Sequence, residues 1–310
     1  MERDMRIGLV DVFDGGAERN PAFMAEFART VEDLGFDGVW LPEHMVFFDD
    51  PESAYPYRTA PNADDPEKTH LHNKTEDGKA RVEAAPEQGI IDSFQAAVAM
   101  CAATGRLRIG TSVLLLPLRS VSVLAREIAT VQELTGGRLD LGVGVGWLAE
   151  EFEACGVDFA TRGRRAERYL HELAGLWNGT GPDGAVLPDG VVLPEGRGRL
   201  PRLMYGGNGD AALRRAATAA YGWYPWNLTP SDFAARLERF HRLAAEAGRA
   251  RADLHVVAGV RFTGTPDQLP QIVNGYLDAG ADGVNVSLRL APSDYREVLE
   301  AVSGALGLTR

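Results

Sequence analysis

His44 is the first residue whose type and placement suggest chemistry. It follows the apolar run Asp37–Leu41 and the dipeptide Pro42-Glu43. An imidazole there can donate, accept or shuttle a proton near neutral pH; the other reading is a histidine satisfied within the structure. A second segment, Gly144 to Ala149, fits G-x-G-x-x-A, one form of the dinucleotide fingerprint. Glu150, Glu151 and Glu153 follow at once, and their charge opposes a pyrophosphate at a helix start. Gly144 and Gly146 are better read as letting a flat ligand approach the backbone. Trp147 then offers an aromatic wall. The third segment, Tyr205-Gly206-Gly207-Asn208-Gly209-Asp210, runs into residues carrying Arg214 and Arg215. A glycine-rich turn of this kind aims N–H groups from the positive end of a helix and suits a phosphate. A plain turn capped by Asp210 is the alternative. Arg162, Arg164, Arg165 and Arg168 form a basic cluster. It suits a further phosphate contact or a solvated helix start.

Other chemistries find little support. His70-Leu71-His72 lies in a polar stretch with no third ligand at a fixed spacing, so no metal is expected. Cys101 and Cys155 are too few for a disulfide framework or a zinc site. G-x-S-x-G, H-E-x-x-H and Walker A patterns do not occur.

These residues sit at the junctions of a regular alternation. Strands are expected at Met5–Val12, Asp37–Leu41, Leu107–Leu116, Arg138–Val145, Arg202–Gly206, Trp223–Trp226, His255–Phe262 and Gly283–Leu288. Helices are expected at Pro21–Leu34, Ile90–Thr104, Val121–Leu134, Thr161–Trp177, Asp210–Ala220, Ser231–Ala247, Pro266–Ala279 and Ser293–Leu306. In the first helix Phe23, Phe27, Val31 and Leu34 share one face, Pro21 suits the first turn and Gly35 closes it. Strands feeding crossover helices make a parallel sheet. Eight such units close into a (β/α)₈ TIM barrel; an open doubly wound sheet is the runner-up. His44 and the glycine turns then fall at strand C-termini, the catalytic face of a barrel.

Two stretches break the rhythm, 45–89 and 179–200. The first carries five prolines among many charges and is read as an insertion over the active site. The second is rich in Gly and Pro, with a small hairpin expected around Ala185–Leu187 and Val191–Leu193. The 310 residues are accordingly read as one elaborated barrel domain.

The formal net charge is −12, which disfavours nucleic acid and anionic lipid as partners. No apolar run approaches a membrane span. The charged start Met1-Glu2-Arg3-Asp4 does not read as a signal peptide, so a cytoplasmic protein is expected.

Gly35-Phe36-Asp37-Gly38-Val39-Trp40-Leu41-Pro42-Glu43-His44 resembles the second-strand signature of the luciferase-like monooxygenase superfamily. Arg108–Val113, Pro117-Leu118-Arg119, Gly136-Gly137-Arg138-Leu139, Gly142–Trp147 and Gly163-Arg164-Arg165 are similar to its coenzyme F420-dependent branch. Gly206–Gly209 and Tyr221-Gly222-Trp223 match later positions. The resemblance implies a TIM barrel with insertions and a flavin or deazaflavin laid across the strand ends. It implies His44 near the reactive ring and a non-prolyl cis peptide at Ser112–Val113 backing that ring. It also implies a phosphate loop at Gly207, Asn208 and Gly209, with Arg165 as a further phosphate contact. Trp147 stands where the sugar-phosphate dehydrogenases of this branch carry a carboxylate, which argues against that substrate.

The resulting expectation is hydride transfer between F420 and a small organic substrate. One alternative is a two-component FMN-dependent monooxygenase served by a flavin reductase. Another is a non-catalytic barrel that binds flavin or ligand. Dimerisation is common in such a family, making a homodimer a further expectation.

Overall fold

The computed structural model describes residues 6–10, 20–46, 48, 51–53, 56–57, 90–177, 201–288 and 290–308. Eight parallel strands close into a barrel: β1 (Arg6–Val10), β2 (Gly38–Leu41), β3 (Arg108–Leu115), β4 (Leu139–Gly144), β5 (Arg202–Gly206), β6 (Gly222–Tyr224), β7 (His255–Arg261) and β8 (Gly283–Ser287). β1 pairs with both β2 and β8, which excludes the open sheet. The surrounding helices are α1 (Pro21–Asp33), α2 (Ser93–Ala102), α3 (Val121–Leu134), α4 (Ala149–Ala154), α5 (Arg162–Trp177), α6 (Asp210–Ala219), α7 (Pro230–Glu246), α8 (Leu269–Ala279) and α9 (Tyr295–Leu306). No helix among the described residues is long and apolar enough to cross a membrane.

Local chemistry sets the boundaries. Asn20 caps α1 by accepting from Phe23 N, with Pro21 in its first turn, and Gly35 leaves it at φ +84°. Asp92 caps α2 and so starts it after the expected Ile90. β6 stops at Tyr224 rather than Trp226, because Pro225 has no N–H to continue the ladder; Trp226 makes only an isolated bridge to Gly259. Short α4 is additional to the eight expected helices. Most of 45–89 and all of 179–200, including His70, His72 and the expected hairpin, lie outside the described residues.

Period-two alternation divides the side chains. Ile7, Leu9, Val39, Leu41, Val284 and Val286 belong to the large core beneath the helices. Val10, Trp40, Met204, Tyr224 and Val257 form a second cluster within the barrel, with Val113 and Trp226 against it. Trp40 and Tyr224 stack at 4.9 Å between ring centroids. Glycines on neighbouring strands make room for them: a Cβ on Gly110 would lie 2.4 Å from the Trp40 ring. Gly110→Ala is therefore expected to cost about 1–3 kcal/mol by overpacking, read as a lower urea midpoint.

At the opposite end of the barrel a buried charge joins three strands. Asp140 on β4 accepts two hydrogen bonds from Arg108 on β3 and two from Arg202 on β5, at 2.6–2.9 Å. Burial alone would raise this carboxyl. The paired guanidiniums outweigh it and hold the group below the usual carboxylate range.

Candidate functional site

The site begins with how β2 ends. Glu43 is buried and accepts from Leu115 N at 3.1 Å and from Arg119 at 3.0 and 3.3 Å. Burial pushes its carboxyl up, with Arg119 opposing. Arg119 also lies over the Phe94 ring and pairs with Glu127 at 3.4 Å. This links the ends of β2 and β3 immediately before His44.

His44 Nδ1 lies 3.0 Å from Oε2 of Glu151, on α4. Glu151 is completely buried, and its other oxygen accepts the backbone N–H groups of Met45 and Val46. On the other side, the ring of Trp147 meets His44 edge-on at 6.0 Å and 84°. The two residues expected to do chemistry are thus brought together from β2 and from the turn after β4.

The neighbouring carboxylate of α4 holds Glu52 and Ser53. Glu150 Oε1 accepts from Glu52 N and Ser53 N, and Oε2 accepts from the Ser53 hydroxyl at 2.7 Å. Ser53 Oγ in turn accepts from Ala149 N at 3.0 Å. Desolvation raises the Glu150 carboxyl, but these hydrogen bonds outweigh it and hold it below its ordinary range. Two of the three carboxylates expected to repel a pyrophosphate are therefore occupied, Glu151 by Met45 and Val46 and Glu150 by Glu52 and Ser53.

The floor is built from the barrel interior. Ser112–Val113 is a cis peptide, at the place where the β3–β4 register shifts between Thr111 and Leu114. Ser112 Oγ lies 3.1 Å from the Tyr224 hydroxyl, which also accepts from Asn285 Nδ2 at 3.3 Å. Val113 packs over two glycines: a Cβ on Gly144 would fall 2.6 Å from its Cγ2, and one on Gly206 3.1 Å from its Cγ1. A Cβ on Gly146, at φ +77°, would fall 2.8 Å from the Phe152 ring. The space that a Cβ would take on Gly144 and Gly146 is filled by the chain's own Val113 and Phe152.

The turn from β5 to α6 is held from below. Asn208 bridges to Trp226 through both amide atoms, donating to its carbonyl at 2.7 Å and accepting its N–H at 3.0 Å. Trp223 Nε1 donates to Gly207 O, and Gly207 takes φ +116°. Gly209 is the N-cap of α6 with no side-chain cap, and Asp210 instead pairs with Arg236 and Arg239 on α7. A Cβ on Gly163 of α5 would meet the Arg215 guanidinium at 2.9 Å, so this side chain of α6 reaches the first turn of α5. Arg165 donates to Pro117 O and Tyr169 Oη; Arg168 pairs with Glu172. Arg162 lies over Phe159 at 3.7 Å and has no carboxylate partner among the described residues.

Ser53, Tyr224 and Asn285 were not singled out in the sequence, and Glu150 and Glu151 were read there only as charge opposing a pyrophosphate. The available signal for Glu151 was its place beside Phe152, a carboxylate against a core position two residues into a helix.

Comparisons with known proteins agree with this architecture. An uncharacterized protein of Mycobacterium tuberculosis is 30% identical over 245 residues, covering 78% of each chain. The F420-dependent tetrahydromethanopterin reductase of Methanopyrus kandleri superposes with a TM-score of 0.67 over 96% of this chain and 97% of its own, at 16% identity. The oxygenating constituent of 3,6-diketocamphane monooxygenase from Pseudomonas putida, solved with FMN, gives 0.69 over 97% and 98%, at 14% identity. The luciferase-like monooxygenase family profile matches residues 75–268, and with the closed barrel this places the chain in the luciferase-like monooxygenase family.

Proposed function

We propose that the protein is an oxidoreductase that transfers hydride between coenzyme F420 and a small organic substrate. The observation carrying this reading is the meeting of His44, Trp147 and the buried Glu151 where β2 and β4 end. The residues fit a flat, phosphate-bearing cofactor. The start of α6, which no side chain caps, offers backbone donors to an anion. Arg162, at the start of α5, adds a cation that no carboxylate among the described residues neutralises. Val113 and Trp147 supply apolar surface for a ring.

A bound deazaflavin would supply hydride transfer at a ring carbon. The chain's own part is to orient and to manage protons. His44 takes or gives the proton that accompanies hydride transfer. Trp147 covers one side of that imidazole and excludes water. The Glu150 ties hold Glu52 and Ser53 against the start of α4.

The two neighbours above bind different cofactors, F420 in one case and FMN in the other. Titration with oxidised and reduced F420 and with FMN decides between them. Saturable F420 binding is the expected result. Tight FMN binding without F420 binding overturns the reading in favour of an FMN-dependent monooxygenase, which would then consume oxygen when given reduced FMN.

A further inference from the structure

We infer that Glu151 is a positioning residue that sets which ring nitrogen of His44 carries the proton. Its catalytic meaning rests on the function proposed above, but the protonation pattern itself does not.

The argument starts from donors and acceptors. Met45 N–H and Val46 N–H both point at Glu151 Oε1. A backbone N–H can only donate, so Oε1 is committed as an acceptor. Oε2 faces His44 Nδ1 at 3.0 Å. A carboxylate that is completely buried and already receives two N–H groups gains most from a third donor. Nδ1 therefore carries the hydrogen, and Nε2, on the opposite edge of the ring, is the acceptor. A neutral imidazole has one nitrogen of each kind, so fixing one fixes the other. The same carboxylate fixes the backbone after His44 and the ring itself, so the base and its orientation depend on a single residue of α4. Trp147 lies two positions before α4, and the two groups against His44 thus come from one short stretch of chain.

Glu151→Gln makes a sharp test because it keeps shape while changing donor pattern. Met45 and Val46 N–H retain the amide oxygen, which turns the amide NH₂ toward His44 Nδ1. Nδ1 must then accept, and the proton moves to Nε2.

The experiment is ¹⁵N-resolved imidazole NMR of the full chain at neutral pH. The signal among the six histidines is assigned by its loss in His44→Gln. The expected result is the Nδ1–H form in the wild type and the Nε2–H form in Glu151→Gln. A wild-type protein in the Nε2–H form overturns the inference without any variant, so a misfolded variant does not shelter it. An unchanged Nδ1–H pattern in a folded Glu151→Gln overturns it as well. With F420 and a turning-over substrate, Glu151→Gln is expected to lose about 100-fold in kcat while its F420 Kd stays unchanged. Failure of the wild type to bind F420 would sink the proposed function and leave the NMR result standing.

Discussion

Asp140→Asn is expected to lower the unfolding free energy by about 3–5 kcal/mol, the range for removing one partner of a buried ion pair. Asp140 receives four charge-assisted hydrogen bonds from two guanidiniums at the base of the barrel. Removing its charge leaves Arg108 and Arg202 facing each other across β4 without the carboxylate that both bind. Their side chains are 31% and 24% exposed, so water relieves part of the repulsion and the cost falls toward the lower end of that range. Asparagine keeps one acceptor, but its amide NH₂ opposes a guanidinium that can only donate.

The pH dependence follows from the same geometry. The folded carboxyl lies below its ordinary value, so its contribution is complete above the unfolded pKa of about 3.9 and is lost as pH falls through the folded value. Wild-type stability should drop on acidification below about pH 4 more steeply than that of Asp140→Asn. Urea unfolding at pH 7 and at a series of acidic pH values tests both statements. Equal stability of the two proteins at pH 7 would show that the charge network contributes nothing.

His44→Gln is expected to reduce kcat by about 10²–10⁴-fold, the usual contribution of a positioned acid or base. The substrate for this measurement is the organic compound that turns over with F420 in a screen. Glutamine can keep a hydrogen bond to Glu151 yet cannot take up a proton, so cofactor binding and fold should be retained. The neighbouring ties of Glu43 to Arg119 and of Glu150 to Ser53 do not pass through the imidazole. A normal F420 Kd with a collapsed kcat is thus the expected pattern. Retention of full turnover would place the proton transfer elsewhere and reduce His44 to a wall of the site.

Much of the barrel was legible because its signals are local. Apolar runs bounded by glycine turns marked each strand, and Val121–Leu134 and Arg202–Gly206 have the expected limits. Errors gathered where one residue decides a boundary. Pro225 ended β6 early, and Asp92 delayed α2. The eightfold count identified strand ends, and with them His44, Trp147 and the β5–α6 turn.

Partnerships were not legible. The side chain of Asn208 bridges to Trp226 on the next turn, a partner that the glycine-rich spacing does not announce. Three acidic residues after Trp147 looked like a barrier to an anion, and two of them instead hold the mouth together. Glu151 meets His44 across 107 positions of sequence, and Arg202 meets Asp140 across 62.

The sequence by itself determined the alternation, the polarity of the strands and the candidates at their ends, since hydrophobic period and turn chemistry act over a few residues. Only the tertiary structure decided which carboxylate serves His44, which glycines yield to Trp40 and Val113, and which charges neutralise one another. Those pairings depend on barrel closure, which brings together groups that no local spacing relates.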